Sequence, residues 1–134
     1  MVRVVIASAR RKTARARAMV KEGKGRVFVN GVPIEVLEPE LVRLKILEPV
    51  LMAGEEIIGK VDIYAEAEGG GIMSQASALR TSIARALVEW SNSDALVDLY
   101  RKYDRHLLVE DPRQAEPKKP GGRSARSKRQ KSYR

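Results

Sequence analysis

The pattern of apolar and polar residues along the chain predicts four β-strands, three of them near the N-terminus. Residues 2–7 form an apolar, β-branched run that is typical of a buried strand. Residues 14–20 alternate strictly, which places alanines and a valine on one face and arginines on the other. Residues 26–29 follow a glycine-containing turn, so we expect them to pair back onto 14–20 and complete an antiparallel meander.

The fourth predicted strand, residues 60–68, alternates in the same way. Its branched and small apolar residues fall on the inward face, whereas Asp62, Tyr64 and Glu66 fall on the face expected to meet solvent. Between the third and fourth strands, Asn30-Gly31 is a strong turn signal, because both residues tolerate positive φ.

Three amphipathic helices account for most of the remaining apolar residues. The first begins near Pro39, whose ring suits the first helical turn, and we expect Pro49 to end or kink it. The second covers about residues 74–90 and the third about residues 94–107. The predicted buried stripes are Leu41, Leu44, Leu47 and Leu51 in the first helix, Ala76, Leu79, Ile83, Leu87 and Trp90 in the second, and Leu96, Leu99, Tyr100, Tyr103 and Leu107 in the third.

These elements predict an α+β fold, with an antiparallel or mixed sheet and helices on one side of it. Residues 1–111 are expected to form one globular body, since a chain of 134 residues suits a single domain. Residues 112–134 hold three prolines, two glycines and nine basic residues, with little apolar surface to offset the entropy of ordering. We therefore expect this segment to be an extended basic tail that is disordered without RNA.

The net charge of +9 is distributed unevenly along the chain. Residues 1–26 and residues 112–134 each carry nine basic side chains and one acidic one, whereas residues 27–111 carry eight basic and fifteen acidic ones. Two positive zones around an acidic middle indicate surfaces for a polyanion. The alternative, a solvated basic tail without a fixed partner, leaves the arginine-rich face of the second strand unexplained.

The composition argues against an enzyme and against a membrane protein. The chain has no cysteine and one histidine, His106, so it offers neither a thiolate nor paired histidines for metal binding or nucleophilic catalysis. We therefore predict no catalytic activity, no metal and no cofactor. No apolar run approaches 18 residues and the N-terminus is charged too early for a signal peptide, so we expect a cytoplasmic protein without membrane contact.

Two features are candidates for contact with nucleic acid. The first is the basic face of the second strand with the connector before it, at residues 10–13, because guanidinium groups match phosphate oxygens. The second is Gly69-Gly70-Gly71 ahead of a helix, where backbone N–H groups can meet phosphate, although a tight strand-to-helix turn explains the glycines equally well. Arg80 and Arg85 lie off the centre of the buried stripe and could reach outward. Aromatic residues are few, which disfavours a stacking platform for single strands.

Several short motifs resemble, in order and spacing, those of the universal S-nine family of small-subunit ribosomal proteins. They are RRKTARA at residues 10–16, the Asn30-Gly31 turn, GGG at 69–71, SQASALR at 74–80, SIARAL at 82–87, DPR and EPKK within 111–119, and the ending KSYR at 131–134. Leu108-Val109-Glu110 and the final Ser-Tyr-Arg depart from the usual bacterial pattern, which indicates an archaeal-type or eukaryote-type member.

The resemblance implies the fold named after the second domain of the fifth small-subunit protein. It also implies binding to rRNA in the head of the small subunit, beside other head proteins, and a C-terminal tail that reaches peptidyl-site tRNA. The candidate rRNA-binding residues are Arg10, Arg11, Lys12, Arg15, Arg17, Lys21, Gly69, Gly70, Gly71, Arg80, Arg85, Lys118, Lys119, Arg123 and Arg126. The candidate tRNA-binding residues are Lys128, Arg129, Lys131, Tyr133 and Arg134.

Two other functions stay open at this point. An RNA-processing enzyme or a small-molecule kinase can share the same architecture, and a kinase would use the glycine loop to bind ATP. A general nucleic-acid compaction protein would bind DNA and rRNA fragments equally well at matched salt, because contacts to phosphate alone carry little preference.

Overall fold

The computed structural model describes residues 3–37, 39–110 and 112. Two short 3-10 turns, Ile34–Val36 and Arg105–Leu107, accompany the strands and α-helices. The strands are β1 (Val4–Arg11), β2 (Ala14–Glu22), β3 (Val27–Val29), β4 (Val32–Pro33) and β5 (Val61–Glu68), and the helices are α1 (Glu40–Ala53), α2 (Glu55–Ile58), α3 (Ile72–Ser91) and α4 (Asp94–Tyr103). The predicted α+β class with a mixed sheet is confirmed.

The five strands form one sheet in the order β1-β2-β5-β3-β4. β1 pairs antiparallel with β2, as predicted, and β2 pairs antiparallel with β5. The predicted pairing of β3 with β2 is wrong, because β5 lies between them and runs parallel to β3. β5 offers β2 eight consecutive residue partners, whereas β3 has only three residues to pair, so the longer ladder takes the place beside β2.

The core lies between one face of the sheet and the helices. α3 packs across β1, β2 and β5, and α1 packs on α3. Alanines dominate the contact on both sides, with Ala16 and Ala18 on β2 and Ala84 on α3 fully or almost fully buried. Small side chains let the helix approach the sheet closely, so larger residues such as Ile83 and Leu87 fill the space beside them. The predicted buried stripe of this helix is confirmed up to Leu87, and Trp90 is half-buried.

The predicted buried face of α1 is wrong at three of its four positions, since only Leu47 packs against the core, where it is half-buried. Leu41, Leu44 and Leu51 are exposed, and the side that packs on the core carries Val42, Ile46, Pro49 and Val50. The helix has apolar residues on two sides, with charged residues between them, so two stripes with helical spacing compete and the sequence pattern alone does not distinguish them. The β-branched stripe is the one that faces the core.

The helix α1 continues through Pro49 to Ala53, so this proline does not end it. The buried hydroxyl of Tyr100 donates a hydrogen bond of 2.7 Å to the carbonyl oxygen of Pro49, which ties α4 to the middle of α1. Burial raises the pKa of Tyr100 well above its ordinary value, so the hydroxyl keeps its proton.

The helix α4 ends at Tyr103, four residues earlier than predicted. The side chain of Asp104 accepts a hydrogen bond from the backbone N–H of His106 and starts a 3-10 turn, which carries Leu107 into the core. Two positions of the predicted stripe, Leu99 and Tyr103, are exposed instead of buried.

The strand β1 is half exposed rather than buried. Val5 and Ala9 face the core, whereas Val4 and Ile6 lie on the open face of the sheet. β1 is an edge strand, and no helix in the described part of the chain covers the second face, which explains why a continuous apolar run still has an exposed side. None of the helices among the described residues has the length and apolarity needed to span a bilayer.

Candidate nucleic-acid interface

The hairpin between β1 and β2 gathers the basic residues of the N-terminal region. Arg10 and Arg15 are directly opposite each other across the two strands, and Lys12 lies at the tip with a left-handed φ of 55°. All three side chains are exposed. Like charges held opposite each other destabilise a strand pair, so this arrangement favours binding of an anion that neutralises both.

The open face of the sheet is basic on β2 and acidic on β5. Arg15 and Arg17 of β2 are exposed, as predicted, and they stand opposite Glu68 and Glu66 of β5. Arg17 reaches Glu66 at 3.5 Å, with both side chains largely exposed to solvent. An ion pair of this kind contributes little and leaves the guanidinium accessible to phosphate. The positive surface therefore concentrates on the hairpin side of the sheet.

Two aromatic rings lie together on the same open face, although their scarcity in the sequence disfavoured a stacking platform. Phe28 and Tyr64 are stacked with centroids 5.2 Å apart and planes 8° apart. Lys21, a candidate rRNA ligand, places its ammonium 4.8 Å from the centre of the Tyr64 ring, and Arg26 lies 5.9 Å from the Phe28 ring. The alternation of β3 and β5 puts both rings on this face, but only the strand order β5-β3 makes them neighbours.

The glycine loop packs against the tip of the hairpin. A Cβ at Gly69 would lie 2.7 Å from the carbonyl oxygen of Thr13, and one at Gly70 would lie 3.1 Å from the amide of Ala14. Both glycines have positive φ, of 75° and 62°. Close packing in a tight strand-to-helix turn therefore explains these two residues, whereas a Cβ at Gly71 would meet open space. The packing brings the N-terminus of α3 beside the basic tip.

The prediction that Arg80 reaches outward is wrong. Its side chain is buried, with Nε donating to Glu48 of α1 at 2.7 Å and a terminal nitrogen 3.1 Å from Asp104. Burial raises the pKa of Asp104, but the His106 amide and the Arg80 guanidinium outweigh this effect and lower it. Arg80 thus joins α1, α3 and the segment after α4, and its charge is neutralised within the fold.

Arg85 is also turned towards protein groups rather than outward. Its guanidinium donates to the carbonyl oxygens of Leu108 at 2.8 Å and Ser8 at 2.9 Å, and it lies 3.3 Å from the Glu110 carboxylate. The same carboxylate accepts a hydrogen bond of 3.0 Å from the backbone N–H of Arg10. The end of the body is thereby fastened to β1 beside the hairpin tip.

Asp62, predicted to face solvent, is buried under the turn between β2 and β3. It accepts hydrogen bonds from the backbone amides of Lys24 and Arg26 and from the Arg26 guanidinium, the last at 2.9 Å. The Arg26 hydrogen bond is the main cause that lowers the pKa of Asp62 to about 2, and it raises the pKa of Arg26. Gly23 passes so close that a Cβ there would overlap the carboxylate. The strand period placed Asp62 on the correct face, but it could not show that a turn covers it.

The positions of the other candidates divide by region. Arg11 is half-buried at the end of β1, where it lines a 230 Å³ crevice with Arg10, Lys45 and His106. Among residues 3–37, 39–110 and 112, no cluster of potential metal ligands is found. The candidate residues of the tail lie outside the described residues: Lys118, Lys119, Arg123, Arg126, Lys128, Arg129, Lys131, Tyr133 and Arg134.

Basic side chains clustered on one exposed part of a small fold are the electrostatic footprint of a nucleic-acid-binding protein. The family model of ribosomal protein S9/S16 matches residues 9–134, and the chain belongs to this family. It is 53% identical over 133 residues to the small ribosomal subunit protein uS9 of Methanothrix thermoacetophila, an alignment that covers 99% of this chain and 100% of that protein. It is equally similar to the small ribosomal subunit protein uS9 of Desulfurococcus amylolyticus, with 99% and 94% of the two chains covered. Both sources are archaeal, as the departures from the bacterial pattern indicated.

Proposed function

We propose that the chain is a structural constituent of the small ribosomal subunit in the cytoplasm and that it binds rRNA of the subunit head. Membership of the ribosomal protein S9/S16 family supports this function at the level of the subunit. The observation that supports RNA contact on the chain itself is the pair Arg10 and Arg15, held opposite each other beside Lys12. Two guanidinium groups and an ammonium at one exposed tip can donate several hydrogen bonds to neighbouring phosphate oxygens.

The binding surface is formed by the hairpin tip together with the start of α3. Arg10, Lys12 and Arg15 supply charged donors, and Arg17 extends the surface along β2. The first backbone N–H groups of α3, next to Gly71, add partial positive charge at the same place. Contacts of this type fix the position of the protein on RNA without reading its sequence.

The basic tail extends the same surface. Residues 113–134 contain nine basic residues and one acidic residue, and they follow shortly after Glu110, which is bound to the backbone of Arg10. We assign Lys118, Lys119, Arg123 and Arg126 to rRNA, as the family resemblance implies. Lys128, Arg129, Lys131, Tyr133 and Arg134 are assigned to peptidyl-site tRNA on the same ground.

A catalytic role is not part of this proposal. A kinase would need its glycine loop open to a nucleotide, but Gly69 and Gly70 are in contact with Thr13 and Ala14 of the hairpin. An ATP titration of the purified protein is expected to show no binding, and saturable binding would revive the kinase alternative.

Reconstitution of small subunits tests the role of the hairpin. We expect the wild-type protein to sediment with the subunits through a high-salt wash, and a variant with Arg10, Arg15 and Arg17 changed to alanine to be washed off. The variant Arg101→Ala, at an exposed arginine of α4, is the matched control and should stay bound. Equal retention of the triple variant would contradict the hairpin interface.

Removal of residues 128–134 tests the tail separately. Truncated subunits should assemble normally but bind peptidyl-site tRNA more weakly, because the charges that the proposal assigns to tRNA are gone. If truncated and intact subunits hold tRNA equally well, the tail does not contact it.

A further inference from the structure

The helix α1 has a second apolar face that the described part of the fold leaves uncovered. Val42, Ile46 and Val50 pack on the core, whereas Leu41, Leu44 and Leu51 on the other side are 66%, 50% and 71% exposed. Leu44 and Leu51 are seven residues apart, or nearly two full turns, so they project from the same side. Leu41 lies one turn before Leu44. We call these three residues the leucine face of α1.

This face is unlike an ordinary solvated helix surface. A helix on the outside of a protein usually carries polar residues opposite its buried stripe. The side of α1 away from its buried residues carries three exposed leucines instead, although α1 also has charged residues. Scattered exposed leucines are common, but a row of them on one helix side marks a surface for interaction. RNA is a poor occupant, since phosphates and base edges are bound mainly by charged and polar donors.

The exposed charges near both ends of the leucine face are negative. Glu40 begins α1, with Arg43 at 3.5 Å as its partner, and the exposed Glu55 and Glu56 follow immediately after the helix. Glu35, in the 3-10 turn before α1, is exposed as well. Carboxylates around an apolar row repel a phosphate backbone and attract a protein surface that carries lysine and arginine.

We propose that the leucine face of α1 is the docking site for a basic protein of the small subunit. The partner would place an apolar ridge over Leu41, Leu44 and Leu51, with lysine or arginine side chains against Glu40, Glu55 and Glu56. This inference rests on the proposed function, because it takes the chain to be a subunit constituent. It assigns the hairpin to RNA and the leucine face to protein, while Lys45 on another side of α1 lines the crevice beside Arg10.

The absence of cysteine from the sequence allows a direct test. Single variants Leu44→Cys and Leu51→Cys, labelled with a benzophenone maleimide, are assembled into subunits from defined components and irradiated. We expect crosslinks to one basic small-subunit protein, identified by mass spectrometry. Crosslinks to rRNA or to a second copy of the chain would overturn the proposal.

Reactivity of the same variants gives a second readout. The unlabelled thiol of the Leu44→Cys variant should react with a maleimide at least tenfold more slowly in assembled subunits than in the free protein. The control Leu99→Cys, at an exposed leucine of α4 outside the leucine face, should keep its reactivity. Unchanged reactivity at position 44, or equal protection at position 99, would count against a specific docking site on α1.

A polar but uncharged variant separates this inference from the proposed function. Leu44→Gln with Leu51→Gln changes only exposed positions and leaves the net charge as it is, so the isolated protein should bind rRNA within twofold of the wild type. Its incorporation into complete subunits should fall at least fivefold. If the variant is incorporated as well as the wild type, the docking site is wrong and the proposed function stands. If the wild type itself does not enter subunits, the proposed function fails first.

Discussion

The guanidinium groups of Arg17 and Arg80 lie in opposite environments. The Arg17 side chain is 66% exposed and has one loose partner, whereas that of Arg80 is 8% exposed and lies between two carboxylates. A surface ion pair contributes little to stability, but a buried guanidinium holds together the groups that neutralise it. Arginines of similar appearance in the sequence are therefore open to solvent in one case and neutralised within the fold in the other.

Substitution of these two arginines by alanine should have separable effects. Arg80→Ala is expected to lower the free energy of unfolding by about 2–4 kcal/mol, because Glu48 and Asp104 lose their shared partner. Arg17→Ala should change it by less than about 1 kcal/mol and should reduce the salt dependence of rRNA binding by about one unit of slope. Urea unfolding measures the change in stability, and binding titrations at several salt concentrations measure the change in slope. If Arg80→Ala reduced the slope and Arg17→Ala reduced the stability, Arg80 would be the RNA ligand.

The buried carboxylate of Asp62 predicts a specific loss of stability in acid. Its pKa is lowered from the usual 3.8 to about 2, so the folded state holds this proton less tightly than the unfolded state. The stabilisation is complete above about pH 4 and is lost as the pH falls through about 2. Asp62→Asn should lower the free energy of unfolding at neutral pH by about 1–3 kcal/mol and should remove this part of the acid dependence.

Denaturant unfolding of both proteins between pH 2 and pH 7 measures the Asp62 effect. Glu66→Gln is the matched control, since its exposed carboxylate has only the loose partner Arg17 among the described ion pairs. Parallel stability curves for wild type and Asp62→Asn over this range would refute the assignment.

At the scale of elements, the glycine loop packs directly on the backbone of the hairpin tip. Gly69 has positive φ and no room for a Cβ next to Thr13, whereas Gly71 has a φ of −91° and open space. Gly69→Ala should therefore lower the free energy of unfolding by about 1–3 kcal/mol through backbone strain and the clash. Gly71→Ala should leave it nearly unchanged, and denaturant midpoints of the two variants provide the comparison. A neutral Gly69→Ala would mean that the loop does not pack on the hairpin.

How far sequence patterns predicted each element depended on whether one apolar face was unique. The strictly alternating β2 and the helix α3 each present one continuous apolar face, and both were placed correctly. α1 presents two, and its packing on α3 and α4 decides which one is buried. The order of strands could not be predicted from the pattern either. It depends on how many residues of β5 can pair with β2, and local periodicity does not report such long-range pairing.

The candidate site shows the same division. The exposed arginines of β2 follow from the two-residue period of a strand and needed no knowledge of tertiary structure. The side chains of Arg80 and Arg85 point inward because they bind carboxylates and carbonyl oxygens more than twenty residues away along the chain. The local sequence pattern does not reveal such partners. The contact between Gly69 and Thr13 joins two motifs that a linear sequence leaves 56 residues apart.

At the scale of the whole molecule, basic side chains are concentrated towards the two ends of the sequence. Most of them lie in residues 1–26 and 113–134, and Glu110, shortly before the second group, accepts a hydrogen bond from Arg10 in the first. The two groups should therefore contribute to RNA affinity together, through release of counterions, while only the body contributes to folding.

A protein truncated after Pro112 separates the two contributions. It should unfold at the same denaturant concentration as the full chain, because the sequence of the removed residues has few apolar side chains that could add to a core. Its plot of log affinity for rRNA against log salt should be shallower by roughly 0.7–0.9 units for each phosphate that the tail no longer neutralises. An unchanged slope would show that the tail does not bind phosphate.

The two side chains that fasten the end of the body to β1 also occupy this strand's outer edge. The Ser8 carbonyl accepts from Arg85 and the Arg10 amide donates to Glu110, and β1 is the long edge of the sheet. A strand from another molecule would have to displace both partners before it could pair there, and the opposite edge, β4, has only two residues. Freshly synthesised copies that await assembly are thus shielded from edge-to-edge aggregation at the strand where an unprotected sheet would be most vulnerable.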